Sequence, residues 1–223
     1  MGAYYTKSKY VNNRKVKKLL TLKDGRLSAL FYCSIEIYSK EKLDTVLIIN
    51  SQNNSELETF IQLNNGNLVV CSDITIDIIY LENNTYHIEQ TITINKVSFK
   101  ILESKNNLFS FDYDKITIYE KPQDEYYVKT IIKNYEITKY GNFWFVDACY
   151  IDNKEIMVVL GGGIKFLSIK NSKWIKEINN YYNFNTNREI ICKLNKNLYL
   201  VCGNNKFFIV DILKHEINSV INL

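Results

Sequence analysis

A chain of 223 residues with 46% hydrophobic and 23% charged side chains carries enough apolar content for a sizeable core, and its length suits one large all-β domain. Its five cysteines, Cys33, Cys71, Cys149, Cys192 and Cys202, show no CxxC spacing and sit mostly in apolar runs, which argues against a zinc centre or a disulfide framework and for a reducing compartment. The formal charge of +4 is concentrated in residues 1–26, where eight Lys/Arg stand against one acid, so the body is nearly neutral and offers no extended basic stripe.

Residues 1–15 read as a basic N-terminal tail. Met1-Gly2-Ala3-Tyr4-Tyr5-Thr6 fits the pattern for N-myristoylation at Gly2. A single acyl chain holds a protein only marginally on a membrane, and Lys7, Lys9, Arg14, Lys15, Lys17 and Lys18 form a basic patch able to add attraction to anionic lipid. Interleaved with Tyr4, Tyr5 and Tyr10, the same cations would also suit stacking on single-stranded nucleic acid, an alternative that the neutral body disfavours. The first twenty residues lack the apolar segment of a secretory signal, and no run of eighteen apolar residues occurs, so the expected location is cytoplasmic with peripheral membrane association.

Beyond the tail, one unit recurs five times. Segments 27–38, 68–79, 108–119, 156–167 and 198–209 overlay, with starts about 40 to 48 residues apart, the period of propeller blades. Ile37, Ile78, Ile118, Phe166 and Phe208 then stand at one shared position, and Ile35, Ile76, Ile116 and Ile164 at another, with Lys206 out of pattern. Asp24-Gly25 and Asn65-Gly66 precede the first two segments and supply the positive φ of a tight hairpin. Breaks at Cys33-Ser34, Asp73, 112–114, 161–163 and 203–205 split each segment into two strands.

A strand-like run precedes each segment, at 16–22, 57–63, 98–102, 143–150 and 189–194, and another follows at 45–50, 86–94, 126–132, 173–178 and 216–221. The expected architecture is therefore all-β: about five four-stranded antiparallel blades, at 16–54, 55–95, 96–134, 135–180 and 181–223, forming a β-propeller or part of a larger one. Central strands apolar on both faces, such as Leu68-Val69-Val70-Cys71, need cover on both sides, which radial stacking supplies. A β-sandwich or barrel is the alternative, but it does not explain the fixed period.

The run Leu68-Val69-Val70-Cys71-Ser72-Asp73-Ile74-Thr75-Ile76-Asp77-Ile78-Ile79 resembles the central hairpin of the WD-repeat superfamily, and Phe208-Ile209-Val210-Asp211 is similar to a degraded ending of that repeat. No unit has the Gly-His start, and neither Trp144 nor Trp174 stands at the Trp-Asp position. The resemblance implies a propeller that acts as a non-catalytic scaffold for a protein or peptide partner, with no cofactor.

Gly161-Gly162-Gly163 leads into a strand rather than a helix, so it reads as a hairpin turn and not a phosphate loop. His87 and His215 fall in or beside the last strand of a unit, away from any nucleophile, so they read as edge histidines. The enzymatic alternative is a carboxylate-dependent glycoside hydrolase using Glu58, Glu103, Asp147 or Glu189 on the first strands, although wet channel positions tolerate acids without catalysis. For partner binding the sharpest cluster is Tyr181, Tyr182 and Phe184, three aromatics in an expected loop between units.

Overall fold

The computed structural model describes residues 14–95, 97–104, 107–112, 115–133, 145–152, 154–179, 190–203 and 205–222. Among them, twenty strands form five four-stranded antiparallel meanders. The first sheet runs β1 (Lys18–Thr21), β2 (Leu27–Leu30), β3 (Ser34–Tyr38), β4 (Thr45–Asn50); the second β5 (Leu57–Gln62), β6 (Leu68–Ser72), β7 (Thr75–Glu82), β8 (Thr85–Thr93). The third runs β9 (Lys100–Ser104), β10 (Asn107–Phe111), β11 (Lys115–Glu120), β12 (Tyr127–Lys133); the fourth β13 (Phe145–Tyr150), β14 (Glu155–Leu160), β15 (Gly163–Ser168), β16 (Lys173–Asn179). The fifth runs β17 (Ile191–Lys193), β18 (Leu198–Gly203), β19 (Lys206–Asp211), β20 (Glu216–Asn222). The only described helix is a single 3-10 turn at Gln52–Asn54.

The chain divides into two compact units, Met1–Asn95 with the first two sheets and Lys96–Leu223 with the other three. Each unit has its own core.

Turn chemistry sets the first hairpin of four sheets. Leu22 N–H bonds Arg26 O, Leu63 N–H bonds Asn67 O, Ile151 N–H bonds Glu155 O and Leu194 N–H bonds Leu198 O, so every loop holds three residues. In the first two, the amides of Gly25 and Gly66 return to the carbonyls of Leu22 and Leu63, and these glycines take φ of +86° and +97°. That is a turn closed by a glycine bulge, so the glycine alone supplies the positive φ expected of Asp24-Gly25 and Asn65-Gly66. Without glycine, Asp152 and Asn195 stabilise the loop differently: each Oδ1 accepts from two amides, those of Lys154 and Glu155 and those of Asn197 and Leu198.

The second and third strands of each sheet place two faces in register. The partners Leu27↔Tyr38, Leu68↔Ile79, Leu108↔Tyr119 and Ile156↔Leu167 are equivalent. In the fifth sheet, however, Tyr199 pairs with Val210, so the unit starts at Tyr199 and not at Leu198. Two further observations fix this. The β-bulge between the third and fourth strands lies at Ile37/Tyr38, Ile78/Ile79, Ile118/Tyr119 and Phe166/Leu167, and in the fifth sheet at Ile209/Val210. The loop bond to the residue before each start, Arg26, Asn67 or Glu155, falls at Leu198. Phe208 is therefore not the counterpart of Ile37, Ile78, Ile118 and Phe166. Ile209 is.

A slip of one residue exchanges the two faces of a strand. Phe208 is fully buried, as expected, but on the opposite side. The forward face of each sheet, which bears Ile35 and Ile37, Phe109 and Phe111, or Ile164 and Phe166, packs on the rear face of the next sheet in its unit. Leu30, Ile35 and Ile37 meet Phe60, Leu68, Val70 and Ile79 of the second sheet. Phe109, Phe111, Ile116 and Ile118 meet Ile156, Val158 and Leu167 of the fourth. Met157, Val159, Ile164 and Phe166 meet Tyr199, Val201, Phe208 and Val210 of the fifth. Lys206, the exception in the sequence pattern, is a consequence of the misplaced start.

Candidate functional site

In the first unit, the turns β2–β3 and β6–β7 carry large apolar side chains where a turn would ordinarily be polar. Phe31 N–H bonds Ser34 O at 2.8 Å, and the carbonyls of Tyr32 and Cys33 accept from Leu57 N–H at 2.7 Å and Ser51 N–H at 2.8 Å. With its backbone pinned on both sides, Tyr32 projects its ring outward and is 59% exposed. Ile74 is held likewise, by Ile94 N–H to its carbonyl at 2.9 Å, and is 49% exposed.

Basic side chains frame the first of these turns. The Arg14 guanidinium stacks 4.8 Å from the Phe31 ring centre and donates to Glu36 Oε1 at 2.5 Å. Lys17 Nζ lies 5.4 Å from the centre of the Tyr32 ring, bonds Leu57 O at 2.9 Å and pairs with Glu56. Arg14, Lys15, Lys17, Phe31, Tyr32, Cys33 and Ser34 together line a groove of about 170 Å³, close to the volume of one large side chain. The Ser34 hydroxyl beneath it is buried without a partner. Tyr38 donates to Glu36 Oε2 at 2.8 Å, and its phenol is pushed up to about 12 by burial first and then by that bond and the Glu36 charge.

The acids expected on first strands have varied surroundings. Asp147 is buried; its Oδ1 accepts from Ala148 N–H at 2.8 Å and pairs with Lys100 at 3.1 Å, and its Oδ2 accepts from the amides of Ile190 and Ile191 at 2.9 and 3.1 Å. One carboxylate thus joins the first strands of the third, fourth and fifth sheets, a cross-linking role rather than a reactive one. Burial holds the Glu58 carboxyl above its ordinary range, opposed by Lys17, whose Nζ is 4.0 Å away, and reinforced by Glu56 and Asp73. None of these acids lines the groove. Glu103 lies in β9, and Glu189 falls outside the described residues.

Of the basic patch, Arg14 and Lys17 spend charge on Glu36 and Glu56, and Lys18 reaches Thr59 Oγ1 at 3.4 Å. Gly2, Lys7 and Lys9 lie outside the described residues, as do Tyr181, Tyr182 and Phe184. His87 lies in the outer strand β8 with its ring centre 4.9 Å from that of Tyr80. His215 is not a free edge residue: in a turn at φ +51°, it meets Glu155 Oε2 at 2.9 Å and packs 4.4 Å from Phe166, tying the fifth sheet to the fourth. Gly161 and Gly162 form the β14–β15 turn. Burial pushes the Cys149 thiol up to about 12 and Cys71 higher still, so both stay protonated and inert at neutral pH. Among the described residues no cluster of His, Cys, Asp and Glu could hold a metal ion.

The fold now has a counterpart. A solved structure described as "AfRom2 CNH domain" superimposes on this chain with a TM-score of 0.67 and 13% identity, covering 93% of this chain and 70% of that one. The likeness is one of fold. No known family model matches the sequence, and no curated protein sequence matches it.

Sequence reasoning missed Tyr32 and Ile74, and it missed the stacking of Arg14 on Phe31. The available signal was a large apolar residue inside a two-residue strand break, where an Asn, Asp or Gly is the ordinary choice.

Proposed function

We propose that the chain is a non-catalytic, propeller-type scaffold that binds a protein or peptide partner through its strand-connecting turns. The observation that carries this reading is the pair of rigid, outward apolar side chains Tyr32 and Ile74, with Arg14 and Lys17 framing the first of them. Tyrosine and arginine on a preorganised backbone are what interface centres favour, because a fixed side chain loses little entropy when it docks. The full engagement of Asp147 favours binding over glycoside hydrolysis. Tyr181, Tyr182 and Phe184 are proposed as a further part of the recognition surface, and the cytoplasm, at a membrane, as the setting.

Affinity capture from the native cell tests the proposal, comparing the wild type with a Tyr32→Ser/Ile74→Ser variant. Both positions are exposed, so the variant should retain its circular dichroism and thermal midpoint. A partner held by the wild type and lost from the variant supports the reading. The same set of partners on both would remove these turns from the interface.

A further inference from the structure

The two residues that flank the β2–β3 turn do not close it as their counterparts do. Ser72 and Thr75 hold the same places in the second sheet, and their hydroxyls meet at 2.9 Å. In the third sheet Lys115 Nζ lies 3.5 Å from Asp112 Oδ2, and the Lys115 amide donates to Asp112 Oδ1 at 3.0 Å. In the first sheet the pair is Phe31 and Ser34, joined only through the backbone by Phe31 N–H to Ser34 O. Phenylalanine offers no polar group across the turn, so the Ser34 hydroxyl, on a residue 2% exposed, is left without a partner. A buried hydroxyl in that state is costly until something pairs with it.

Ser34 belongs to the groove described above, and the residues that line it all lie in the first unit. The walls are apolar, formed by the rings of Phe31 and Tyr32 and the methylene stems of the three cations. Arg14 and Lys17 direct their charges to Glu36 and Glu56. Lys15 is exposed and has no partner among the described residues, so one positive charge stays open at the rim.

We infer that the groove takes one tyrosine from an acidic segment of the partner, its ring against Phe31 and Tyr32, its phenol bonded to the Ser34 hydroxyl, and a neighbouring Asp or Glu on Lys15. The inference rests on reading these turns as a docking surface and names what docks there. Tyrosine joins an apolar body to a hydroxyl tip that both donates and accepts, which matches an apolar slot with a serine hydroxyl among its lining. Phenylalanine or leucine would fill the walls and leave Ser34 unpaired, and a carboxylate in the slot would lose its water against two rings. Lys15 sets the sign of the flanking residues, because a basic segment is repelled there.

Cys33 lines the groove and can report its occupancy. The protein is treated with iodoacetamide at low salt, and mass spectrometry follows alkylation of Cys33, with the exposed Cys192 as internal reference. The probe is the capped peptide Glu-Glu-Tyr-Glu-Glu, which should slow Cys33 and leave Cys192 unchanged. Exchanging the peptide's tyrosine for phenylalanine should raise the concentration that halves the Cys33 rate about fivefold, the worth of one ordinary hydrogen bond, and Ser34→Ala should abolish that difference. Lys15→Glu should weaken protection by this peptide and favour Lys-Lys-Tyr-Lys-Lys instead. Circular dichroism verifies that both variants fold. Equal protection by the tyrosine and phenylalanine peptides, protection indifferent to Lys15→Glu, or a Cys33 that the reagent does not reach without peptide overturns the inference. If a captured partner is nonetheless lost from Tyr32→Ser/Ile74→Ser, the turns remain the interface and only the tyrosine is refuted. If that variant keeps every partner, the docking reading falls with it.

Discussion

Truncation of Ile118, Phe208 and Ile209 to alanine separates the two registers available to the fifth unit. Ile118 is fully buried between the third and fourth sheets. Removing its three outer carbon groups forfeits about 2.4 kcal/mol at ~0.8 per group, and the cavity left in a close-packed layer raises the total to about 3–4 kcal/mol. Ile209, at the equivalent register but half-buried, has about half of that transfer term to lose and little cavity to leave, so ~1 kcal/mol is expected. Phe208 is fully buried among Phe166, Val201 and Val210, and its truncation should cost about 3–5 kcal/mol. Urea titration of each variant reads these differences: with a slope near ~2 kcal/mol per molar, Ile118→Ala moves the midpoint by about 1.5 M and Ile209→Ala by about 0.5 M. Equal costs at Ile118 and Ile209, with a Phe208 cost below about 0.5 kcal/mol, would refute the register and restore Phe208 to the forward face.

Asp147→Ala removes an ion-pair partner of Lys100 and the shared acceptor of the buried amides of Ile190 and Ile191, so thermal denaturation should show a loss of about 2–4 kcal/mol, with Asp147→Asn recovering part of it; a loss under ~1 would mean that the junction is not cross-linked there. Tyr38, whose folded-state value near 12 lies above the ordinary 10, stabilises the fold fully below pH 10 and loses that contribution as pH rises toward 12. Glu36→Gln removes the charge that helps hold the proton, so ultraviolet titration should show the phenol ionising at lower pH, and an unchanged curve would leave burial as the sole cause.

Much of the fold could be read from periodicity because hydrophobic alternation and turn residues are local signals. Asp24-Gly25 and Asn65-Gly66 mark where β1 and β5 end, and the paired isoleucines Ile76 and Ile78 mark a covered face. The fifth unit misled because Leu198 and Tyr199 are both apolar and both plausible starts. Only the three-residue loop closed from Leu194 to Leu198 and the bulge at Ile209/Val210 distinguish them, and both are properties of pairing rather than of composition. The candidate site was less visible for a similar reason. Tyr32 matters because Leu57 and Ser51 pin its turn from the next segment, and no spacing within residues 27–38 announces that contact. Asp147 was noticed as an acid on a first strand, but what neutralises it arrives from Lys100 and from the amides of residues more than forty positions away.

One buried polar position recurs among the sheets, the residue between the two forward-face positions of the third strand. It holds Glu36, Asp77, Thr117 and Lys165 in the first four sheets, all buried, and Phe208 in the fifth. Where the partner stands on the neighbouring strand, the pair lies directly across in register: Asp77 Oδ1 accepts from Thr91 Oγ1 at 2.8 Å, and Lys165 Nζ meets Glu177 at 3.1 Å with the Trp174 ring 5.4 Å away. Taking Lys165 out of water offsets much of the attraction, so the pair adds little net stability. A one-residue slip, however, would carry Lys165 onto the forward face in place of Ile164 and Phe166, where that attraction is lost. The pair thus selects a register between two strands whose apolar patterns would tolerate both. Replacing Lys165 with methionine, of similar length, tests this. The urea midpoint should change by no more than about 0.5 M, equivalent to ~1 kcal/mol, while hydrogen exchange at the β15 and β16 amides accelerates as alternative pairings become accessible. A large drop in stability with unchanged protection would show that the pair contributes energy rather than register.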